Sequence, residues 1–509
     1  MSTKKGLYNS VEGRVEGIPS PVKGLNTQAA LSGLGKDFAT QLDNWVCQPD
    51  AIVTRGGAVN HVTGLPALGK TLMAYSSATT KKLFAATNSG IFDVTSAGAV
   101  GASVSTIAQG FGNSVNFATS AGQYLYFVNG NDDARYYNGS VWTVPGITGP
   151  ALNTLKAVET YRQRLYFLQN DFLGFYYLAA DSIAGAATAF RIGSLCRFGG
   201  EVTAHGTWSV DGGSGPDDHY VLATSEGELV VFRGSDPAVV ANWVYVGTYY
   251  VGKPLGIRSF AKFGGDLLYL CENGIIPLNN LVTSTTRDYS SAMTLRVQPS
   301  IGNASALYGG NTGWKVHICP KRNLVMLNVP VDTVTSTQFV YNSYSKGWGT
   351  FSGWNAADFI EFEGDTYFST GTVVAKAFTG YNDFGANITA ICDTAYNSFN
   401  TREQLLPILV RPIFATNANI TYTVGIAQDF SGNYVESSFL TGVGAVGLWD
   451  SGLWDTALWG GSFNLRRDWL TIAARGGISL SMRFKVESNN SSTVFLAADF
   501  KFAQQGLVS

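Results

Sequence analysis

The sequence predicts an all-β protein: a β-propeller of six or seven blades with an irregular N-terminal arm and a C-terminal β-sheet or sandwich region. Three observations lead there. Helical periodicity is almost absent, and the apolar residues come in short runs or alternate. Glycine supplies 59 of the 509 residues and aromatics 13%, the usage of short strands joined by tight turns. A loose strand–turn–strand unit also recurs every 40 to 57 residues, the spacing of propeller blades.

In chain order, residues 1–60 form the arm. They are Gly-rich, show little strand pattern before Ile52, and read as a segment lying on another surface. Residues 61–400 hold the repeats. These begin "LFAATNSGIFDV" at Leu83, "YLYFVNGNDDARYY" at Tyr124, "RLYFLQNDFLGFYYL" at Arg164, "HYVLATSEGELVVF" at His219, "DLLYLCENGIIPL" at Asp266, "NLVMLNVPVDTV" at Asn323 and "DTYFSTGTVVAKAF" at Asp365. Turn dipeptides Ser89-Gly90, Glu226-Gly227 and Asn273-Gly274 sit between two apolar runs, which is hairpin chemistry. Each unit is expected to be the inner hairpin of one blade. Residues 401–509 carry longer alternating segments such as "ITYTVGIAQDF" and "SLSMRFKVES", expected to form a sheet or sandwich for docking and assembly.

Composition narrows the function. Lys plus Arg is 34 and Asp plus Glu is 36, so no basic excess exists to neutralise many phosphates. The pairs Lys81-Lys82 and Arg466-Arg467 are expected on outer or inter-subunit surfaces. Cys47, Cys196, Cys271, Cys319 and Cys392 are widely spaced and odd in number, the pattern of free thiols in a reducing compartment. No sequence spacing supports zinc, no cofactor is expected, and neither a signal peptide nor a membrane helix is visible.

Candidate chemistry is sparse. "WSVDGGSGPDDHY", 208–220, resembles the start of the Asp box of sialidase-like propellers, without its Thr-Trp end. Asp211, Gly212, Gly213 and Gly215 read as a structural loop, an Asx-capped glycine turn. Asp211, Asp217 and Asp218 do not match an EF-hand calcium loop. Glu201, Glu226, Glu228, Asp266 and Asp365 lie near strand ends, where solvated or capping carboxylates are the default, so no glycosidase pair can be selected. Arg197 beside Cys196 is a cation that could lower a thiol pKa, but no His accompanies it. The sequence predicts a protein that is not an enzyme.

"GLWDSGLWDTALWGG", 447–461, spaces Trp449, Trp454 and Trp459 five apart. A blade-ending Trp-Asp does not repeat at five, and this spacing holds one face of neither strand nor helix. The stretch reads as tandem tight turns. Its indoles either pack within the C-terminal sheet, anchor a subunit interface, or stack on carbohydrate.

A set of ordered segments then becomes specific. They are "KGLNTQ" (23–28), "QLDNWVCQPDAIVTRGG" (41–57), "YRQRLYFL", "FRIGSLCRFGGEVTAHGTWSVDGGSGPDDHYVLATSEGELVVFRGSDPA", "NWVYVGTYYVGKPLGIRSFAKFGGDLLYLCENGIIPLNNLV", "KGWGTFSGWNA" (346–356) and "RPIF" (411–414). Together they resemble the tail nozzle family of short-tailed phages (podoviruses), also called tail tubular protein B or phage stabilisation protein. Cys196 and Cys271 depart from otherwise matching segments. The resemblance implies a propeller protein assembling as a homohexameric ring at the distal end of the viral tail, below the adaptor protein. There it extends the DNA channel, retains the genome and opens for ejection. It implies a virion protein made and assembled in the host bacterial cytoplasm. Its partners would be copies of itself, the adaptor, tail fibre, spike or needle proteins, genomic DNA passing without specific binding, and the host cell surface at the tip. The family has no catalytic residues to carry over. The alternative is a carbohydrate-binding or carbohydrate-active, sialidase-like propeller. Under the nozzle reading, residues 1–60 and the C-terminal sheet make most of the inter-subunit and adaptor contacts.

Overall fold

The computed structural model describes residues 13–211, 216–279, 292–441, 463–472 and 475–505. The chain is all-β and divides into two compact units. One comprises residues 58–340 and 352–379, the other 1–57, 341–351 and 380–509.

The first unit is a β-propeller of seven blades. Their first strands are Thr71–Ser76, Asn113–Thr119, Leu155–Tyr161, Val202–Asp211, Phe260–Phe263, Lys315–Cys319 and Asp358–Phe362. Each first strand approaches the first strand of the next blade, and that of blade seven returns to that of blade one, so these strands form a closed inner ring. Each blade runs outward from there as an antiparallel meander. In blade two, for example, Asn113–Thr119 pairs with Gly122–Val128, then Arg135–Tyr137 and Trp142–Thr143.

The seven recurring units of the sequence are the second and third strands of these blades, not the innermost hairpins. The second strands are Lys81–Thr87, Gly122–Val128, Arg164–Gln169, Pro216–Thr224, Asp266–Cys271, Leu324–Pro330 and Asp365–Thr370. Both faces of such a strand are covered by neighbouring blades. Phe84 joins Leu125, Phe127 and Tyr137 of blade two, while Leu83 and Ala85 join Phe362, Tyr367 and Val374 of blade seven. Phe167 likewise packs against Tyr126 and Val128, and Tyr166 against Tyr220, Phe232 and Trp243. Successive side chains point to opposite faces. A strand covered on both faces therefore reads as an unbroken apolar run, which is why these strands stand out. The turns that follow use Gly90, Gly227 and Gly274 at φ of 140°, 87° and 104°, a region where a Cβ is strained.

The ring is closed by a strand taken out of chain order. Ala58–Thr63 comes before blade one in the chain, yet it pairs antiparallel with Val373–Ala377 as the fourth strand of blade seven. Val62 is buried there in the cluster shared by blades seven and one.

The second unit is a β-sandwich. One sheet orders Trp348–Phe351, Ala39–Asp43, Ile388–Thr394, Leu480–Ser488, Thr421–Gln428 and Val435–Leu440. The other contains Trp45–Cys47, Ile52–Thr54, Thr493–Gln505, Gln404–Thr416 and Asn464–Arg466, with Arg14–Pro19 also on Thr493–Gln505. Phe484 of the first sheet meets Phe414 and Phe495 of the second at 5.1 and 5.0 Å between ring centroids. The N-terminal arm is thus woven into both sheets by short strands too brief to announce themselves by periodicity. The division between units falls at 57 and 380 rather than near 60 and 400. Residues 341–351, which lie inside the repeat region of the sequence, also belong to the sandwich.

The closing strand supplies a test. Val62→Asp places a carboxylate at a position 2% exposed, and should cost about 3 kcal/mol or more by burying an unpaired charge. Asn60→Asp, on the exposed side of the same strand, should stay within about 0.5 kcal/mol. Urea unfolding followed by tryptophan fluorescence compares the two. Equal effects would mean that this strand does not close the ring.

Candidate functional site

Where the first strands of several blades begin, the chain places charge in the interior of the propeller. Arg258, just before the first strand of blade five, donates through Nη2 to Thr71 Oγ1 at 2.6 Å and to the Gly112 carbonyl at 2.7 Å. Its Nη1 lies 3.2 Å from Asp358 Oδ1. Lys315 Nζ donates to the same oxygen at 2.7 Å and to the Phe359 carbonyl at 2.7 Å. The other carboxylate oxygen of Asp358 accepts the Leu72 N–H at 2.8 Å. One cluster therefore joins the starts of blades one, two, five, six and seven.

Asp358 is 1% exposed. Burial works against its ionisation, but Arg258 and Lys315 outweigh burial and hold the carboxyl below the usual range. Burial also lowers Lys315, with the neighbouring Arg258 opposing the help of Asp358. Phe111 lies under the guanidinium, 4.5 Å from ring centroid to Arg258 Cζ.

Phe111 also lines a cavity of about 300 Å³, together with Lys70, Asn311, Asp332, Thr335 and Asn355. Asp332 is the carboxylate of this lining. It accepts N–H groups from Val334 and Thr335 at 2.8 and 2.7 Å, so it is engaged in its own turn. The cavity offers amides, hydroxyls and one ammonium. These groups sit among an apolar lining that includes Leu68, Phe111, Pro330 and Val334, and the cavity contains no paired nucleophile and base among its described residues.

The carboxylates singled out in the sequence each engage a local partner. Glu201 pairs with Lys156 at 2.7 Å, Glu226 with Lys253 at 3.0 Å, and Asp365 with Lys376 at 2.6 Å. Glu228 accepts the N–H groups of Arg197 and Phe198, and Asp266 those of Leu267 and Asn279. Cys196 is not an activated thiol: burial, then Glu228, pushes it up to about 11. Asp211 ends the first strand of blade four, in register with Pro216. Gly212, Gly213 and Gly215 lie outside the described residues, as do Trp449, Trp454 and Trp459. Asp218 accepts from Ser209 Oγ at 2.6 Å and pairs with Arg162 at 3.0 Å. Of the basic pairs, Lys82 meets Asp93 at 2.9 Å and Lys81 meets Glu363 at 3.5 Å.

The surface carries two features that sequence reasoning missed. The outer strand of blade four, Trp243–Tyr250, pairs on one edge only among the described residues. It exposes Val244, Tyr245 and Val246 at 45%, 43% and 38%, beside Val240 at 90%. On the sandwich, the terminal strand Val435–Leu440 exposes Val435 and Leu440 and leads directly into the segment holding the three spaced tryptophans. Exposed apolar edge strands are rare unless something covers them.

No family model matches the chain, and no curated protein matches it. Among solved structures, it is similar to YCF48 bound to D1 peptide, with TM-score 0.38 and 10% identity over 69% of this chain and 99% of that one. It is similar to BamB from Moraxella catarrhalis, with TM-score 0.34 and 10% identity over 67% and 94%. The SapL1 lectin in complex with alpha methyl fucoside gives TM-score 0.29 and 15% identity over 57% and 96%.

Two measurements test this interior. Asp358→Ala leaves Arg258 and Lys315 without their shared anion, and should cost about 3–5 kcal/mol. Equilibrium urea unfolding near neutral pH reads it, and a loss below 1 kcal/mol or so would show the cluster to be dispensable. The second concerns His205, whose Nδ1 lies 2.7 Å from the Tyr220 hydroxyl. Burial, then Lys156, lowers its pKa from 6.5 to about 3. A histidine depressed in the folded state contributes stability that is complete above the unfolded pKa. That contribution is lost as pH falls from about 6.5 towards 3, at up to ~1.4 kcal/mol per pH unit. His205→Gln should flatten the pH dependence of unfolding free energy between pH 4 and 6 by about one proton.

Proposed function

We propose that this chain is the nozzle subunit of a short phage tail, a structural protein without catalysis of its own. It forms a ring with copies of itself below the adaptor, extends the DNA channel, and retains the genome until ejection. Three lines support the reading. The ordered sequence resemblance runs through both units of the chain, from "KGLNTQ" and "RPIF" in the sandwich to the segments of blades three to five in the propeller.

The observation that carries most is the apolar free edge of blade four. Val240, Val244, Tyr245 and Val246 stand exposed on and beside a strand that, among the described residues, ends its sheet. In a monomer that edge is an aggregation hazard. In a ring, a neighbouring copy covers it. The net charge of −2 agrees with a channel wall that does not grip DNA, because many cations would hold the phosphates and slow their exit.

The purified chain, alone and with its adaptor, should form rings with a lumen in electron micrographs. Val246→Lys should leave the β-sheet circular dichroism intact and abolish the rings. A chain that stays monomeric with adaptor present would count against the nozzle. If that monomer also bound glycans, and lost them on replacing Trp449, Trp454 and Trp459 with Ser, the carbohydrate-binding alternative would take its place.

A further inference from the structure

We infer that His317, Cys319 and Glu361, meeting between blades six and seven, form a site for a zinc-class divalent cation. The three donor atoms lie within 4.8 Å of one another, and His317 Nε2 stands 3.1 Å from Glu361 Oε1. Bond lengths to zinc of about 2.0–2.3 Å place tetrahedral ligands about 3.3–3.6 Å apart. Small side-chain adjustments therefore bring all three onto one ion.

The architecture favours this use. His317 and Cys319 are two residues apart on Lys315–Cys319, so they share one face of a strand. Glu361 comes from the first strand of the adjoining blade. All three sit on inner-ring strands rather than on loops, which gives a precise site. The imidazole lies on the Phe359 ring, 5.6 Å between centroids and 23° from parallel, which fixes its orientation. The Thr366 hydroxyl bonds to Glu361 and stands 3.6 Å from Cys319 Sγ, so it holds the carboxylate in place.

The donor chemistry selects the ion. One imidazole, one sulfur and one carboxylate suit zinc and its borderline neighbours, while calcium and magnesium prefer oxygen throughout. Three protein ligands leave a fourth position. A crevice of about 30 Å³, lined by Cys319, Arg322, Asp365, Thr366 and Phe378, opens beside the cluster. That is room for one water. Thiolate and carboxylate together neutralise the dication. Metal entry forms the metal–sulfur bond as the thiol proton leaves to solvent.

The test uses the full chain, loaded with Zn²⁺ or Co²⁺, gel-filtered and assayed for metal. One equivalent should be retained. The cobalt form should show a thiolate-to-metal charge-transfer band and tetrahedral ligand-field bands, and loading should raise the melting temperature. Cys319→Ser should lose the charge-transfer band, and Glu361→Gln should lower retention at least tenfold. Cys196→Ser, remote from the cluster, should match the wild type. If Cys319→Ser fails to fold, the wild-type cobalt spectrum and Glu361→Gln decide. A wild-type chain that retains no metal, or a thiolate band and stoichiometry unchanged in Glu361→Gln, would overturn the site.

Discussion

The propeller depends on closing a ring of seven blades, and the Arg258–Asp358 contact is where the closure is most concentrated. Blades pack chiefly against their two neighbours, so closure is a cooperative demand that no single interface meets. Arg258 breaks that pattern. From blade five it reaches backbone and side-chain oxygens at the starts of blades one and two, and it pairs with a carboxylate of blade seven. A planar guanidinium with five donors can serve so many partners at once, whereas an ammonium could not keep that fork geometry. The charge is costly to bury: Nε and Nη2 are hydrogen-bonded, while Nη1 is offset only by its ion pair with Asp358. Such a cluster specifies one ring, because a shifted blade would leave a buried cation unpaired.

Much of this architecture was legible in the sequence, for a physical reason. Second strands of blades are covered on both sides, so segments such as "LFAAT" and "LYFLQ" appear as apolar runs, and the glycine turns after them mark where the chain reverses. First strands were less visible. They are apolar where blades pack, but they begin with polar or charged residues such as Thr71, Asn113, Lys315 and Asp358, which sequence reading takes for loop. The interlacing of the units was hidden too. Trp348 and Trp354 stand six residues apart in "KGWGTFSGWNA", yet the first lies in the sandwich and the second in the propeller. Three-residue strands such as Trp45–Cys47 hold their place by tertiary pairing, and no local periodicity can reveal that.

The interior chemistry was the least legible part. Spacing arguments look for ligands a few residues apart, and His317-x-Cys319 supplies only two. Their third partner, Glu361, comes from the next blade, a whole repeat away in sequence but adjacent in space. Asp358 and Arg258 are a hundred residues apart in sequence for the same reason, since the ring converts distant strand starts into neighbours. Features that looked chemical in the sequence turned out to be engaged locally. Glu228 binds two backbone N–H groups, and Asp365 holds two lysines.

Charge placement links the fold to the function proposed here. Only 14% of the residues are charged, and a notable share of them face inward. Lys156 with Glu201, Arg258 and Lys315 with Asp358, Arg55 with Asp383, and Arg483 with Asp393 all join a buried or half-buried partner to its counter-ion. Exposed apolar side chains stand on loops and on strands, among them Val240, Val334, Tyr344 and Leu440. Proteins that live as dispersed monomers keep their surfaces charged to oppose association. A surface this poor in charge, with Val240 and Leu440 standing out from it at 90% and 73% exposure, has the chemistry of faces that neighbours cover. Interface cores are depleted in charge in the same way. Within the propeller, Arg258 and Lys315 use their charge to hold blade starts together. The same distribution of charge thus supports both a rigid ring of blades and a subunit that belongs inside an assembly.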